Sequence, residues 1–332
     1  MTARPARPVD RRLLRVRVLL GTLLALTACV AVTFAHVVSD LEVGVLVKLP
    51  AGMLAHLAAA DAPDATGAVG ENREHWRNVG AQAPALRLLA DASARRDSVA
   101  AERAWRAIDL AFAHQTRGGG FQHVPSTSYR DSLTEMLGTA RWAAATCRAF
   151  VVVMNGPMQN AFRLRYVLTL RKLEATMHWL EARAPELELA HVTHGPELLV
   201  IAQAFLLGDG TFHVESFGRI GQRTLQKALA LQRKDGAFPH DADVSLDAQA
   251  GALESLESVA QYFPSPMLER ATDLVAGYVA RQVDLHGVAA SGRTPAEQRH
   301  ALAALAYHAE RRDDAATRQL VRRAFARLPR TR

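Results

Sequence analysis

The stretch Gln115-Thr116-Arg117-Gly118-Gly119-Gly120-Phe121-Gln122-His123 returns 117 residues later as Gln232-Arg233-Lys234-Asp235-Gly236-Ala237-Phe238-Pro239-His240. The residues before it match as well, Ala111-Phe112-Ala113-His114 against Ala228-Leu229-Ala230-Leu231, and a serine follows in the same register, Ser128 and Ser245. Such a stretch suits a turn between two helices. The glutamine amide is expected to cap the end of the first helix. The glycine takes a left-handed conformation that a β-carbon would penalise. The phenylalanine enters the core and fixes the direction of the returning chain. A unit of this kind cannot bury its face alone and must stack on neighbours. Fainter copies are read at Asp209-Gly210-Thr211-Phe212-His213 and over Gln282–Val288.

Around these turns, Ala, Leu, Arg and Glu dominate from residue 73 onward, with apolar positions recurring at three and four residues. The pattern predicts helices over 73–94, 98–115, 129–152, 158–183, 195–207, 217–232, 244–262, 266–282, 295–309 and 313–327. Thr294-Pro295-Ala296-Glu297 and Gly195-Pro196-Glu197 supply helix starts, and Ser128 to Asp131 has capping-box spacing. Residues 73–332 therefore read as an all-α domain of stacked helical hairpins.

The Gln-x-x-x-Gly-x-Phe turns resemble the QW-type turn of squalene-hopene cyclases and of the β-subunits of protein prenyltransferases. Similar hairpins build the α/α toroids of many glycoside hydrolases, polysaccharide lyases and uronate epimerases. The resemblance covers roughly residues 100–290 and implies an α/α toroid, closed or partial, with a central funnel. It implies no particular chemistry. A class II terpene cyclase would carry Asp-x-Asp-Asp, whereas Asp241-Ala242-Asp243-Val244 lacks the last aspartate. An aromatic content of 6% also leaves little to line a carbocation site.

The 332-residue chain is 49% hydrophobic and 22% charged, which excludes a disordered chain. Its two cysteines, Cys29 and Cys147, exclude a disulfide scaffold and cannot form a structural zinc site by themselves. The net charge of +7 lies at the two ends, with Arg4, Arg7, Arg11, Arg12, Arg15 and Arg17 at one and Arg318, Arg322, Arg323, Arg327, Arg330 and Arg332 at the other. That distribution does not make a nucleic-acid-binding face, and no nucleic acid is expected as a partner.

Val18 to Val38 is a 21-residue run without formal charge. As a helix it would span about 30 Å, enough for a bilayer core. The arginines before it mark the cytoplasmic side. Residues 1–17 are thus expected to be a cytoplasmic tail, 18–38 a membrane anchor, 39–72 a linker with a tether at 61–72, and 73–332 an extracytoplasmic domain. A cleaved signal ending near Ala35 and a lipobox at Leu26-Thr27-Ala28-Cys29 are the alternatives for the same run. Cys147 then has no partner and reads as a buried structural thiol.

If the helix after each turn is the inner one, the loops leading into the inner helices converge on the funnel. They bring His123, Tyr129, Arg130 and Asp131, then His240, Asp241, Asp243 and Asp247, then His191, His194 and Glu197, then Arg293, Glu297 and His300. Asp241, Asp243 and Glu297 also suit helix capping, and His123 and His240 suit a structural place in the turn. His240, Asp241, Asp243, Tyr129 and His123 are the catalytic candidates; Arg130, Asp131, His191, His194, Glu197 and Arg293 are the substrate-binding ones. Glycoside hydrolysis needs two carboxylates, which the aspartates supply. A uronate lyase or epimerase needs a Tyr or His base and a cation on the carboxylate, which Tyr129, the histidines and the arginines supply. His191-x-x-His194-x-x-Glu197 has ligand types suited to a metal, but substrate contact is preferred, and no cofactor is expected. The expected function is that of a membrane-anchored, extracytoplasmic carbohydrate-active protein whose partner is a polysaccharide or other glycan. The alternatives are a non-catalytic module of a cell-envelope assembly and a terpene-cyclase-like enzyme.

Overall fold

The computed structural model describes residues 45–46, 48–49, 62–121, 129–189, 194–239, 245–290 and 295–328. The anchor expected over 18–38 lies outside them; among the described residues no helix is long and apolar enough to cross a membrane. The described residues are all-helical, with no named strand and a single isolated bridge between Gln115 and Phe121. The ten α-helices are α1 (Ala83–Arg95), α2 (Ser98–Ala113), α3 (Tyr129–Asn155), α4 (Gln159–Leu189), α5 (Gly195–Phe212), α6 (Glu215–Ala230), α7 (Leu246–Tyr262), α8 (Pro266–Ala290), α9 (Pro295–Arg312) and α10 (Ala315–Phe325).

Their packing alternates. Each odd helix packs on the even helix that follows it, giving five hairpins, and α1, α3, α5, α7 and α9 pack on one another in that order. The odd helices are the ones that follow the loops singled out in the sequence. The residue pattern explains why α5 sits in the middle of the row. Every residue from Leu198 to Leu207 is buried, so this helix has no solvent face. In contrast, α6 buries Phe217, Gly218, Gly221, Leu225 and Ala228, a stripe at three- and four-residue spacing that faces α5. Trp105, Trp142, Phe150, Phe205, Phe217 and Phe238 are fully buried and fill the spaces between the hairpins. Cys147 is buried among them, and burial pushes its thiol up to about 12, as suits a structural residue.

The two recurring turns are built alike. Thr116 N–H donates to Gly120 O and Gly119 N–H to Thr116 O; Arg233 and Gly236 repeat this with Ala237 and Arg233. Gly119 and Gly236 have φ of 92° and 96°. A β-carbon on either would lie 2.1 Å from a carbonyl oxygen, that of Ala175 on α4 or Leu274 on α8. The glycine thus serves the turn and the close approach of the next even helix together. The glutamine does not cap its own helix. Gln115 Nε2 donates to Lys172 O at 2.8 Å and Gln232 Nε2 to Ala271 O at 2.9 Å, so each amide reaches across to the same neighbouring helix that the glycine touches.

A third copy stands at Asp64–Val69. Asp64 N–H donates to Ala68 O, Gly67 N–H donates to Asp64 O, and Gly67 has φ 95°. Its β-carbon would lie 2.6 Å from Arg106 O on α2. Here Val69 takes the place of the phenylalanine, and Gln82 holds the turn by accepting from Val69 N–H and donating to Gly67 O and Ala107 O. Residues from 62 onward therefore pack on the helical body, although 61–72 was expected to be a tether. The helix expected over 73–94 begins only at Ala83, with Pro84 in its first turn. Before it, 3-10 turns at Gly70–Arg73 and Val79–Gln82 are tied by Asn72 and Asn78. The fainter copies are not turns of this kind. Asp209–Phe212 continues α5 to a left-handed His213, and 282–288 lies inside α8.

The corners at the other end of the hairpins repeat too. Arg96 and Asp313 are left-handed, with φ 62° and 55°. Each is followed by an aspartate that caps the next helix, Asp97 and Asp314.

Candidate functional site

The five odd helices enclose a cavity of about 660 Å³, lined from every one of them. Its walls follow a spacing of seven residues. Arg141 and Arg148 come from α3, Asp247 and Glu254 from α7, and His300 and Tyr307 from α9. Positions seven apart lie two turns apart on one face, so each helix presents two polar groups inward. Arg87 and Asp91 from α1, Glu197 and Gln203 from α5, Ser255 and Glu257 from α7, and Glu297 and Arg299 from α9 add to the polar lining.

A connected network lies on the cavity wall. Arg87 Nη2 donates to Glu254 Oε2 at 2.6 Å and lies 3.4 Å from His300 Nε2. His300 places Nδ1 2.6 Å from Asp247 Oδ1 and Nε2 3.2 Å from Glu254 Oε2. Burial by itself would raise the Glu254 carboxyl, but the charges of Arg87 and His300 overrule it and hold it at about 2. Burial would lower the His300 imidazole, but Glu254 and Asp247 hold it up at about 9. The hydrogen bond with His300 lowers Asp247. At neutral pH the site therefore holds an imidazolium between two carboxylates. The Asp91 carboxyl moves the opposite way, raised by burial that its hydrogen bond with Arg95 only partly offsets.

Beside the network, the Arg148 guanidinium lies 4.6 Å from the centre of the Tyr307 ring. Below it, Glu257 is buried against His308 and Arg311, and Arg311 also bonds Glu269, which fixes α7, α8 and α9 together. Arg141 and Arg299 line the cavity without a hydrogen bond or ion pair to a described side chain, and the Arg299 Nε is buried. Among the described residues no three His, Cys, Asp or Glu side chains are grouped as metal ligands.

Of the substrate-binding residues expected from sequence, His194 and Glu197 are described. They meet at 3.3 Å at the start of α5, and Glu197 lines the cavity. Gly195 N–H donates to Pro239 O, so this helix start rests on the second glycine turn. His123, His191, His240, Asp241, Asp243 and Arg293 lie outside the described residues, as do the side chains of Tyr129, Arg130 and Asp131. Tyr129, Arg130 and Asp131 open α3, and the other residues precede α3, α5, α7 and α9 in sequence, all of which line the cavity. Sequence reasoning named Asp247, Glu297 and His300 as residues reaching the funnel but missed Arg87, Asp91, Arg141, Arg148, Glu254, Arg299 and Tyr307. The signal available was a polar pair seven residues apart within a helix, with mostly small or apolar residues between the two. No family model, curated protein or solved structure matches the chain.

Proposed function

We propose that this chain is a carbohydrate-active protein built as a partial α/α toroid, and that its ligand is an acidic glycan. The carrying observation is a pair of arginines on the cavity wall. Glu254 and Asp247 are paired with Arg87 and His300, Asp91 with Arg95 and Glu257 with Arg311, while Arg141, whose charge acts on Asp247, and Arg299 make no hydrogen bond or ion pair with a described side chain; Glu197 and Glu297 line the same wall. Guanidinium groups facing a cavity suit a carboxylate-bearing ligand. Glu254 and Asp91 put two carboxyl groups on the cavity wall, the residue type that glycan cleavage requires. The terpene-cyclase alternative fits less well, since among the described lining residues Tyr307 is the sole aromatic ring apart from the imidazole of His300. In this reading Val18 to Val38 anchors the chain in a membrane with the helical domain on the extracytoplasmic side, supported by the uncharged run and the six arginines before it.

One observation favours a non-catalytic module instead. The Arg87–Glu254–His300–Asp247 network pairs its members with one another and joins α1, α7 and α9, as a structural strut would. Incubation of the full chain with neutral and uronate-containing polysaccharides separates the readings. Reducing ends and unsaturated-uronate absorbance would be followed together, with Glu254→Gln and His240→Ala/Asp243→Ala variants. Turnover lost in a variant supports the enzyme, and the absorbance distinguishes lyase from hydrolase. Binding without turnover supports the module. Neither binding nor turnover on any glycan rejects the proposal.

A further inference from the structure

We infer that the first turns of α4 form a docking face for an anionic lipid surface. Leu164, Val167 and Leu168 are exposed on this helix at 72%, 44% and 57%, three of the few large apolar side chains that reach solvent. With Arg171 they share one helix face, being three, four and seven residues apart. Arg163 borders that face on one side, and Arg165 and Lys172 on the other. Between Gln159 and Leu173 the helix carries no acidic residue. Arg165 is paired with Glu102 of α2 at 2.7 Å, while Arg163 and Arg171 make no ion pair with a described residue. An exposed apolar stripe edged by arginine on both sides is the pattern of a helix lying in a membrane interface. Charge complementarity to anionic headgroups selects lipid over an uncharged partner.

The position of the chain's N-terminal part agrees. The Arg165–Glu102 pair and the Trp105–Phe162 contact, with ring centres 5.7 Å apart, bring the start of α4 beside the start of α2. Arg95, at the corner that opens α2, donates to Leu46 O and Leu49 O, so the chain enters the domain at this same end. If the anchor ends at Val38, the seven residues to Val45 span at most about 25 Å. The end of the domain that carries the α4 face is thereby held close to the bilayer. This step rests on the proposed anchor; the composition of the α4 face does not.

The test uses the full chain with Cys29→Ser and a nitroxide on Leu168→Cys, reconstituted in phosphatidylcholine vesicles with or without phosphatidylglycerol. Cys147 is buried and stays unlabelled. A second label at Arg219→Cys on exposed α6 surface is the reference. In anionic vesicles the ratio of oxygen to nickel-chelate collisions is expected to rise severalfold at residue 168 and not at 219. Arg163→Glu/Arg171→Glu/Lys172→Glu should return residue 168 to the reference value with helical content unchanged. An aqueous label at 168 in vesicles that hold the chain would overturn the docking face. So would a label shielded from both reagents in particles of doubled protein mass, which would make the face a contact between copies. Alkaline extraction reads the anchor separately. A chain that is extracted but carries a lipid-immersed label keeps the face and loses the anchor, and one with an aqueous label loses both.

Discussion

Arg87 on α1 and Glu254 on α7 are 167 residues apart and meet at 2.6 Å inside the cavity. The same guanidinium lies 3.4 Å from His300 on α9. The backbones of α1 and α9, the two ends of the inner row, do not pack on each other as neighbouring odd helices do. Side chains bridge that interval, and Glu254 is the group they share.

Removing Glu254 should therefore destabilise the domain more than removing Arg87. Arg87→Ala exposes little, because its side chain is half exposed at 48%. A cost of about 1 kcal/mol is expected. Glu254→Ala leaves Arg87 and His300 facing each other without their shared carboxylate and should cost about 2–3 kcal/mol. Urea denaturation of the two variants checks the order; equal costs would remove Glu254 from its central place.

The same network sets a pH window. His300 is raised from 6.5 to about 9, so its contribution is whole below about 6.5 and is lost as pH rises through 9. Glu254 is lowered from 4.5 to about 2, so its contribution is whole above about 4.5 and is lost as pH falls through 2. Stability from this site should form a plateau between those limits. Denaturation at stepped pH should show an alkaline decline that His300→Gln abolishes.

The glycine turns predict a grouped response. Gly67→Ala, Gly119→Ala and Gly236→Ala each put a β-carbon on a positive-φ residue facing backbone carbonyl at 2.6, 2.1 and 2.1 Å. Each should cost about 2 kcal/mol or more. Gly118→Ala, whose β-carbon meets nothing closer than 4.0 Å, should be nearly silent. A silent Gly67→Ala would separate the first turn from the other two.

Gln249 offers a sharper packing test. Its amide accepts from Phe238 N–H and donates to Phe238 O, both at 2.8 Å, in a fully buried position. Gln249→Leu leaves two buried backbone groups unpaired and should cost about 2–4 kcal/mol by thermal or urea denaturation. A variant as stable as the parent would show that the turn does not depend on this clamp.

The fold was legible where residues repeat and obscure where only geometry does. Gly119 and Gly236 could be aligned because Gln, Gly and Phe recur together. Gly67 escaped because Pro63 and Val69 replace the glutamine and the phenylalanine, and what survives is a pair of backbone hydrogen bonds and a positive φ. Phe212 matched the pattern without forming such a turn, since α5 is apolar on every side and its helix runs on to that residue. For the site, polar residues crowd the loops in the sequence and mark those segments first. Asp247, near a helix start, was within reach, but Arg141, Arg148 and Glu254 sit deeper within helices, and their common face emerges only once alternate helices are known to line one cavity. Arg87 could not be foreseen, because its partners come from α7 and α9, far away in sequence.

The most direct measurement is calorimetric binding of a uronate oligosaccharide and its carboxyl-reduced counterpart to the full chain and to Arg141→Gln. The chain is expected to prefer the uronate form, and Arg141→Gln to lose the preference while keeping its fold. Equal affinity for the two sugars, or a preference untouched by the substitution, would contradict it.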